Sequence, residues 1–202
     1  MRRLDLALPL MALLVACDRP GTQTIYAPHQ EGLTLGYENP QVAFPQRRDQ
    51  RLQVRVNRVT TLPKGGMRVE KAFTTLQGET WVLVELEDGA VTQIGENGQP
   101  LGLVLPKGFP DRTREWTARG RQFRVLGQAM AVGLEVELPP AFNRLGTWVE
   151  SQPIEGKGPH TRTFYLPDLG EVDTQELRDG KWVSVNKLVA RGFTDAPLRR
   201  PY

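Results

Sequence analysis

The sequence has few of the residues from which metal sites and catalytic sites are usually built. Its 202 residues include one cysteine and two histidines, so an internal disulfide and a thiolate metal site are excluded. Neither His29 nor His160 has a cysteine or a carboxylate at ligand spacing, and we therefore predict no metal ion. The motifs G-x-S-x-G and G-x-x-x-x-G-K-[ST] are also absent, so we predict no cofactor and no enzymatic activity.

Helical periodicity and a strong net charge are lacking as well. No apolar i, i+3, i+4, i+7 stripe persists for three turns, which argues against a helical domain. The formal net charge of +3 is small for a nucleic-acid-binding protein, so we predict no nucleic-acid partner. Basic residues cluster in residues 47–48, 112–124 and 199–200. We expect them on solvated faces, and contact with anionic lipid head groups is the alternative.

The first seventeen residues, MRRLDLALPLMALLVAC, have the layout of a secretory signal. A basic head at Arg2 and Arg3 precedes the apolar run 6–15, which is shorter than the roughly 20 residues that span a bilayer. Residues 14–17, Leu-Val-Ala-Cys, resemble the lipobox of bacterial lipoproteins, in which the cysteine is acylated and becomes the new N-terminus. The resemblance implies that Cys17 carries palmitate or similar acyl chains. An ordinary signal peptide, or an apolar core helix, is the alternative.

On this interpretation the chain divides into four segments. Residues 1–16 are the signal peptide, and residues 17–30 are a lipidated tether because proline and glycine punctuate a polar stretch. Residues 31–193 form one β domain, and residues 194–202 are a C-terminal tail. The acyl chains would hold this domain on a membrane, facing the periplasm or the exterior. Asp18 resembles a signal that retains enterobacterial lipoproteins in the inner membrane, and the choice between inner and outer membrane stays open.

Short alternations of apolar and polar residues fill the β domain. Residues 52–57 alternate strictly, and Asp88-Gly89 is typical of a type I′ hairpin. Residues 80–86 are apolar on both faces, which predicts a strand covered on both sides. We also predict a strand at Leu134–Leu138, ended by Pro139-Pro140. About eleven strands in all predict an all-β fold, an antiparallel meander that forms an incomplete, half-open β-barrel.

Four segments resemble the motifs of a known group of proteins. They are residues 33–37 (strand with G-x-x-W-x-Y character), 105–116 (L-P-x-x-x-G-x-x-W), 136–142 (V-x-V-P-A-G-T-F) and 163–172 (Y-Y-A-P-G-V-G-L-V). Together they resemble exported, mostly uncharacterised bacterial lipoproteins with an incomplete antiparallel β-barrel, an architecture similar to that of periplasmic lipoprotein-carrier proteins. The resemblance covers most of residues 31–191 and implies that fold without any catalytic residue. Asp168 stands where the motif has glycine, and aspartate tolerates a positive φ better than most residues.

A half-open barrel has a concave apolar face that a ligand can fill, and aromatic side chains are the candidates to contact it. The candidate ligand-contact residues are Tyr37, Trp81, Trp116, Trp148 and Tyr165. For each of them, ordinary core packing is the alternative. The acids Asp168, Glu171 and Asp173 cluster near one turn, where we expect solvated carboxylates rather than acid–base catalysis.

Three functional hypotheses follow from these observations. The first is a non-enzymatic, membrane-anchored envelope lipoprotein that binds an apolar ligand or an acyl chain in the barrel concavity. The second is a structural or assembly lipoprotein that docks a partner protein of the cell envelope, with the barrel interior filled by its own side chains. The third is a hydrolase that acts on an envelope polymer.

Overall fold

Strands make up almost all of the regular structure in the part of the chain that the structure describes. The computed structural model describes residues 24–95, 97–138, 142 and 144–194. The predicted signal peptide, Cys17, the tether before Thr24 and the tail from residue 195 onward lie outside the described residues. Within the described ranges, no helix has the length and apolarity that crossing a bilayer requires.

Twelve strands and one short helix, α1 (Gln46–Asp49), follow one another along the described chain. The strands are β1 (Leu33–Glu38), β2 (Leu52–Thr61), β3 (Met67–Thr75), β4 (Gly78–Glu87), β5 (Ala90–Ile94), β6 (Pro100–Leu105), β7 (Glu115–Ala118), β8 (Arg121–Met130), β9 (Leu145–Pro153), β10 (Thr161–Leu166), β11 (Gly170–Arg178) and β12 (Lys181–Phe193).

All twelve strands belong to one antiparallel sheet that curls into a nearly closed barrel. The strand order is β6-β5-β4-β3-β2-β1-β12-β11-β10-β9-β8-β7, so β1 and β12 join the two halves of the chain. Strands β6 and β7 face each other at the two edges of the sheet without pairing, which leaves one unsealed seam. The predicted incomplete barrel is therefore confirmed, with twelve strands where the sequence predicted about eleven.

The alternation along the strands decides which side chains form the core. In β1, Leu33, Leu35 and Tyr37 are all buried, and Val84 and Leu86 of β4 are buried in the same way. Every second side chain of a barrel strand points inward. The hairpin residues also match the prediction, because Asp88 and Gly89 both take positive φ angles, 49° and 75°. Asp168 likewise has a φ of 62° at its turn.

The predicted strand at Leu134–Leu138 is wrong. Residues 131–138 have no strand pairing, and β8 ends at Met130 while β9 begins only at Leu145. Pro139-Pro140 would end such a strand but leaves the N–H groups of residues 134–138 in place, so alternation alone did not bring this segment into the sheet. The segment leaves the sheet instead, and Glu135 in it accepts from the Lys187 ammonium of β12 at 3.3 Å.

At the end of the predicted tether, residues 25–29 pack against the barrel. Tyr26 and Ala27 are buried, and the carbonyl of Ile25 accepts a hydrogen bond from the Asp168 N–H at 2.7 Å. The Tyr26 ring lies edge-on to Phe109, with 5.0 Å between centroids. Proline and glycine spacing favoured a loop here, but burial of Ile25-Tyr26-Ala27 offsets the loss of backbone freedom.

The N-terminal segment covers one end of the barrel. We call this the proximal end; it carries the turns at residues 62–66, 88–89, 106–114 and 167–169. We call the opposite end the distal end; it carries the turns at residues 76–77, 95–99, 119–120 and 179–180. The interior is therefore closed on the proximal side by the chain's own residues.

Candidate ligand cavity

A cavity of about 380 Å³ occupies the interior of the barrel. Tyr26, Ala27 and Pro28 form its proximal floor, and strands from both halves of the sheet form its wall. Its volume lies in the range of about 300 to 1,000 Å³ that is common for small-molecule sites. A larger depression of about 590 Å³ lies at the proximal end, but it is lined mainly by turn residues. The interior cavity is the better candidate because side chains converge on it from across the barrel.

One side of the cavity wall is almost entirely aliphatic. The inward positions of β2, β4, β5 and β6 supply valines, because the alternation of these strands places a branched residue at every second site. These valines are Val54, Val82, Val84, Val91 and Val104. Leu52 and Phe73 extend the same surface. The wall resembles the apolar lining that an alkyl chain needs, and Lys71 of β3 and Gln93 of β5 are the polar side chains beside it.

A lysine rises from this apolar wall. Lys71 of β3 lies on the same face as Val69 and Phe73, and its side chain is 6% exposed. Within the described part of the chain, its ammonium has neither a hydrogen bond nor an ion pair. Burial lowers the pKa of Lys71 to about 8, against an opposing attraction from Glu171. The ammonium is therefore charged near neutral pH but only by a narrow margin.

Glu171 of β11 lines the same cavity and is held by two tyrosines. The Tyr37 hydroxyl donates to the Glu171 carbonyl oxygen at 2.9 Å, and the Tyr165 hydroxyl donates to its carboxylate Oε1 at 3.4 Å. The residue is exposed to solvent through the open cavity, although protein atoms crowd around its carboxylate. This confinement raises the pKa of Glu171, while Lys71, Tyr165 and Arg119 act in the opposite direction. The predicted solvated turn acid is therefore exposed, but toward the cavity that it lines.

Burial also raises the pKa of both tyrosines, and the nearby Glu171 carboxylate adds to the rise. Tyr37 and Tyr165 consequently stay neutral and act as hydrogen-bond donors over the whole physiological pH range. Asp173, two residues further on, lies apart from the cavity. Its carboxylate accepts from the Ser184 hydroxyl at 2.5 Å and from the Gln175 amide at 2.6 Å. The three acids of this turn therefore do not form one site.

One arginine crosses the seam of the barrel. Arg119, in the turn between β7 and β8, donates through Nη2 to Gln93 Oε1 of β5 at 2.6 Å. Its side chain passes over Gly102 of β6, where an added Cβ would lie 2.8 Å from Arg119 Nε. Arg119 and Gln93 both line the cavity. Arg119 thus connects the two edges of the sheet, which no backbone ladder joins.

The structure places two of the five predicted ligand-contact residues in the cavity wall, Tyr37 and Tyr165. Trp81 alternates with the cavity residues Val82 and Val84, so it lies on the outer face of β4. Trp148 also lies outside, under the Arg162 guanidinium at 4.8 Å.

The fifth candidate, Trp116, is buried among aromatic side chains rather than in the cavity wall. Its ring stacks on Phe123 at 5.0 Å and meets Phe109 edge-on at 5.9 Å. Core packing, the alternative reading, describes its position. Contact with a ligand remains a prediction for Tyr37 and Tyr165, and the positions of Trp81, Trp116 and Trp148 do not favour it.

The sequence analysis did not bring the three charged residues of the cavity, Lys71, Arg119 and Glu171, together in one site. Lys71 had a readable signal, because it falls at the second position from both Val69 and Phe73 on one strand face. Glu171 had no such signal, since it follows the turn glycine Gly170 directly. Within the described ranges, histidine, cysteine and acidic side chains form no cluster that could hold a metal ion.

Comparison with known proteins adds information on the fold alone. No protein-family profile matches the sequence, and no curated protein matches it. A solved structure from Bacteroides fragilis, of a candidate exported protein with a YmcC-like fold, is similar with a TM-score of 0.55 at 13% identity. The match covers 84% of this chain and 99% of that one. A candidate lipoprotein from Parabacteroides distasonis has the same identity and coverage with a TM-score of 0.48. The first match agrees with the barrel architecture that the sequence motifs implied.

Proposed function

We propose that this chain is a non-enzymatic, membrane-anchored envelope lipoprotein whose barrel interior binds an apolar ligand such as an acyl chain. The observation that carries the proposal is the cavity of about 380 Å³ with its wall of valines. A barrel whose side chains filled its interior would leave no such volume. Burying an alkyl chain there gains about 0.8 kcal/mol for each CH₂ removed from water.

Anchoring rests on a different part of the chain. The signal-like N-terminus ends at Cys17, and the described body begins seven residues later at Thr24. The likeness in fold to a candidate exported protein supports this location. Replacement of Cys17 by serine should abolish incorporation of labelled palmitate and release the protein from the membrane fraction. Unchanged labelling of the Cys17→Ser variant would contradict the anchoring proposal.

Ligand binding is tested by the mass of the purified protein. The full chain, produced in a bacterial host and extracted in mild non-ionic detergent, should carry a noncovalent apolar molecule in native mass spectrometry. The covalent anchor survives denaturation and the bound ligand does not, so the two are told apart in one sample. Chloroform extraction of the same sample should then release the ligand for identification.

A matched pair of variants assigns the bound molecule to the cavity. Val82 points into the cavity and the next residue, Leu83, points outward from the same strand. Val82→Phe should fill the cavity and remove the bound mass, whereas Leu83→Phe should keep it. Retention of the ligand by Val82→Phe, or a wild-type protein that binds neither its native ligand nor added dodecanol, would refute the proposal.

A further inference from the structure

The cavity contains an imbalance of charge. Its titratable side chains are Tyr26, Tyr37, Lys71, Arg119, Tyr165 and Glu171. Arginine is charged at every pH of interest, and Tyr37 and Tyr165 are held neutral by burial. One carboxylate therefore faces two cations, Lys71 in the interior and Arg119, which is exposed to solvent at the seam.

The two other charged groups of the cavity already have partners. The Glu171 carboxylate accepts from Tyr165, and the Arg119 guanidinium donates to Gln93. The Lys71 ammonium has no such partner among the described residues, although its side chain is only 6% exposed. Glu171 in the same cavity attracts this ammonium but forms no ion pair with it, and a buried cation without a directly bound counterion is unfavourable. A bound anion would remove that cost.

The surroundings of Lys71 define what kind of anion fits. Val56 of β2 and Val82 of β4 are its register partners, so the ammonium rises from an apolar surface. An inorganic anion would leave the adjacent valine wall bare. A volume of about 380 Å³ is at the small end of ligand sites, which suits one alkyl chain better than two.

We propose that the cavity takes a single-chain amphiphile with an anionic head group, and that Lys71 is the residue that binds this head group. The alkyl chain lies along Val54, Val82, Val84 and Val91. This inference deepens the proposed function and rests on it. A free fatty acid and a single-chain phosphate lipid share the required chemistry.

The test compares two photoreactive probes of equal chain length, a diazirine fatty acid and the corresponding diazirine fatty alcohol. The full chain is reconstituted in nanodiscs near neutral pH, and labelled peptides are mapped by mass spectrometry. Both probes should label residues 78–87, which include Val82 and Val84. A charge-assisted hydrogen bond to the acid should give it an advantage of about 10- to 100-fold in half-saturating concentration. Competition by lysophosphatidic acid against dodecanoate then separates a phosphate head from a carboxylate head.

Two lysine variants assign the preference. Lys71→Met should lose the preference, so that the acid and the alcohol label residues 78–87 with equal half-saturating concentrations. Lys181→Met, at an exposed lysine beside the β11–β12 turn, should keep the preference. Removal of an unpartnered buried charge is not expected to unfold the barrel, so Lys71→Met remains testable. Raising the pH toward 10 should erase the preference in the wild type, because Lys71 loses its proton.

The outcomes separate the two proposals. Equal labelling of the cavity by acid and alcohol in the wild type would overturn the role of Lys71 and leave apolar binding intact. A Lys71→Met protein that still prefers the acid would do the same. Absence of label from residues 78–87 with both probes would refute the ligand cavity and the head-group site together.

Discussion

Replacement of Lys71 by methionine should change the pH dependence of stability in a calculable way. The folded protein holds the pKa of this lysine at about 8, whereas the unfolded chain has the ordinary value of 10.5. At pH 7 both states are protonated, so the folded state bears the full cost of the buried charge. A pKa shift of this size corresponds to about 3 kcal/mol in the free energy of unfolding.

The sign follows from proton binding. Between pH 8 and 10.5 the unfolded chain binds more protons at this site than the folded protein, so stability rises with pH through that interval. The wild type should therefore gain about 2 to 3 kcal/mol from Lys71 between pH 7 and pH 10. Lys71→Met lacks the titrating group and should not show this gain.

Urea unfolding of the full chain, followed by tryptophan fluorescence at several pH values, measures the difference between wild type and variant. Other groups titrate in both proteins and cancel in that difference. Lys71→Met should be the more stable protein at pH 7, and its advantage should shrink by about 2 to 3 kcal/mol at pH 10. Lys71→Met also loses the attraction between Lys71 and Glu171, which reduces its advantage in stability. In the double variant Lys71→Met/Glu171→Gln this attraction no longer contributes. A difference that does not vary with pH would refute the buried, charged lysine.

Three further predictions concern packing and the seam. Gly146→Ala should destabilise the protein by about 1 to 3 kcal/mol, because the new Cβ would lie 2.5 Å from Phe164 Cζ. Gly192→Ala, with open space around it, should leave the melting temperature nearly unchanged. Equal melting temperatures for the two variants would contradict this packing. Tyr37→Phe should lower the free energy of unfolding in urea by about 1 kcal/mol or more, since the Glu171 carbonyl loses its donor at 2.9 Å. Tyr165→Phe removes a longer hydrogen bond of 3.4 Å and should lower it less. The reverse order would be evidence against the geometry. Arg119→Ala should accelerate exchange of the backbone amide hydrogens of β5 and β6 without affecting those of β10 and β11. The reason is that the side chain that joins the two sheet edges is gone. Unchanged exchange at β6 would show that Arg119 does not close the seam.

Much of the fold could be read from periodicity and turn chemistry. Strict alternation in residues 52–57 and the Asp88-Gly89 pair located β2 and the β4–β5 hairpin, because a strand with one buried face has a period of two. The same rule failed at Leu134–Leu138, where the alternation is present but the segment pairs with no neighbouring strand. The packed segment at Tyr26 was missed because turn residues dominate the composition around it.

The cavity was harder to predict than the barrel. Residues 80–86 are apolar on both faces, so the sequence could not decide whether Trp81 or Val82 points inward. In β9 the usual pattern is inverted, since Thr147 and Ser151 are buried while Trp148 lies outside. The empty volume itself depends on how strands far apart in sequence curve around one another. Local sequence patterns contain no information on how far apart the opposite walls of the barrel lie.

The accessibility of an introduced thiol tests the central claim, an open interior that an apolar ligand fills, most directly. The chain has one cysteine, which we expect to be acylated, so a thiol at Val82→Cys or Leu83→Cys can be followed by its mass after reaction with methyl methanethiosulfonate. We predict that added dodecanol slows modification of the Val82→Cys protein about tenfold or more when it occupies most of the cavity, and leaves that of Leu83→Cys unchanged. Equal rates with and without dodecanol at Val82→Cys would contradict the account.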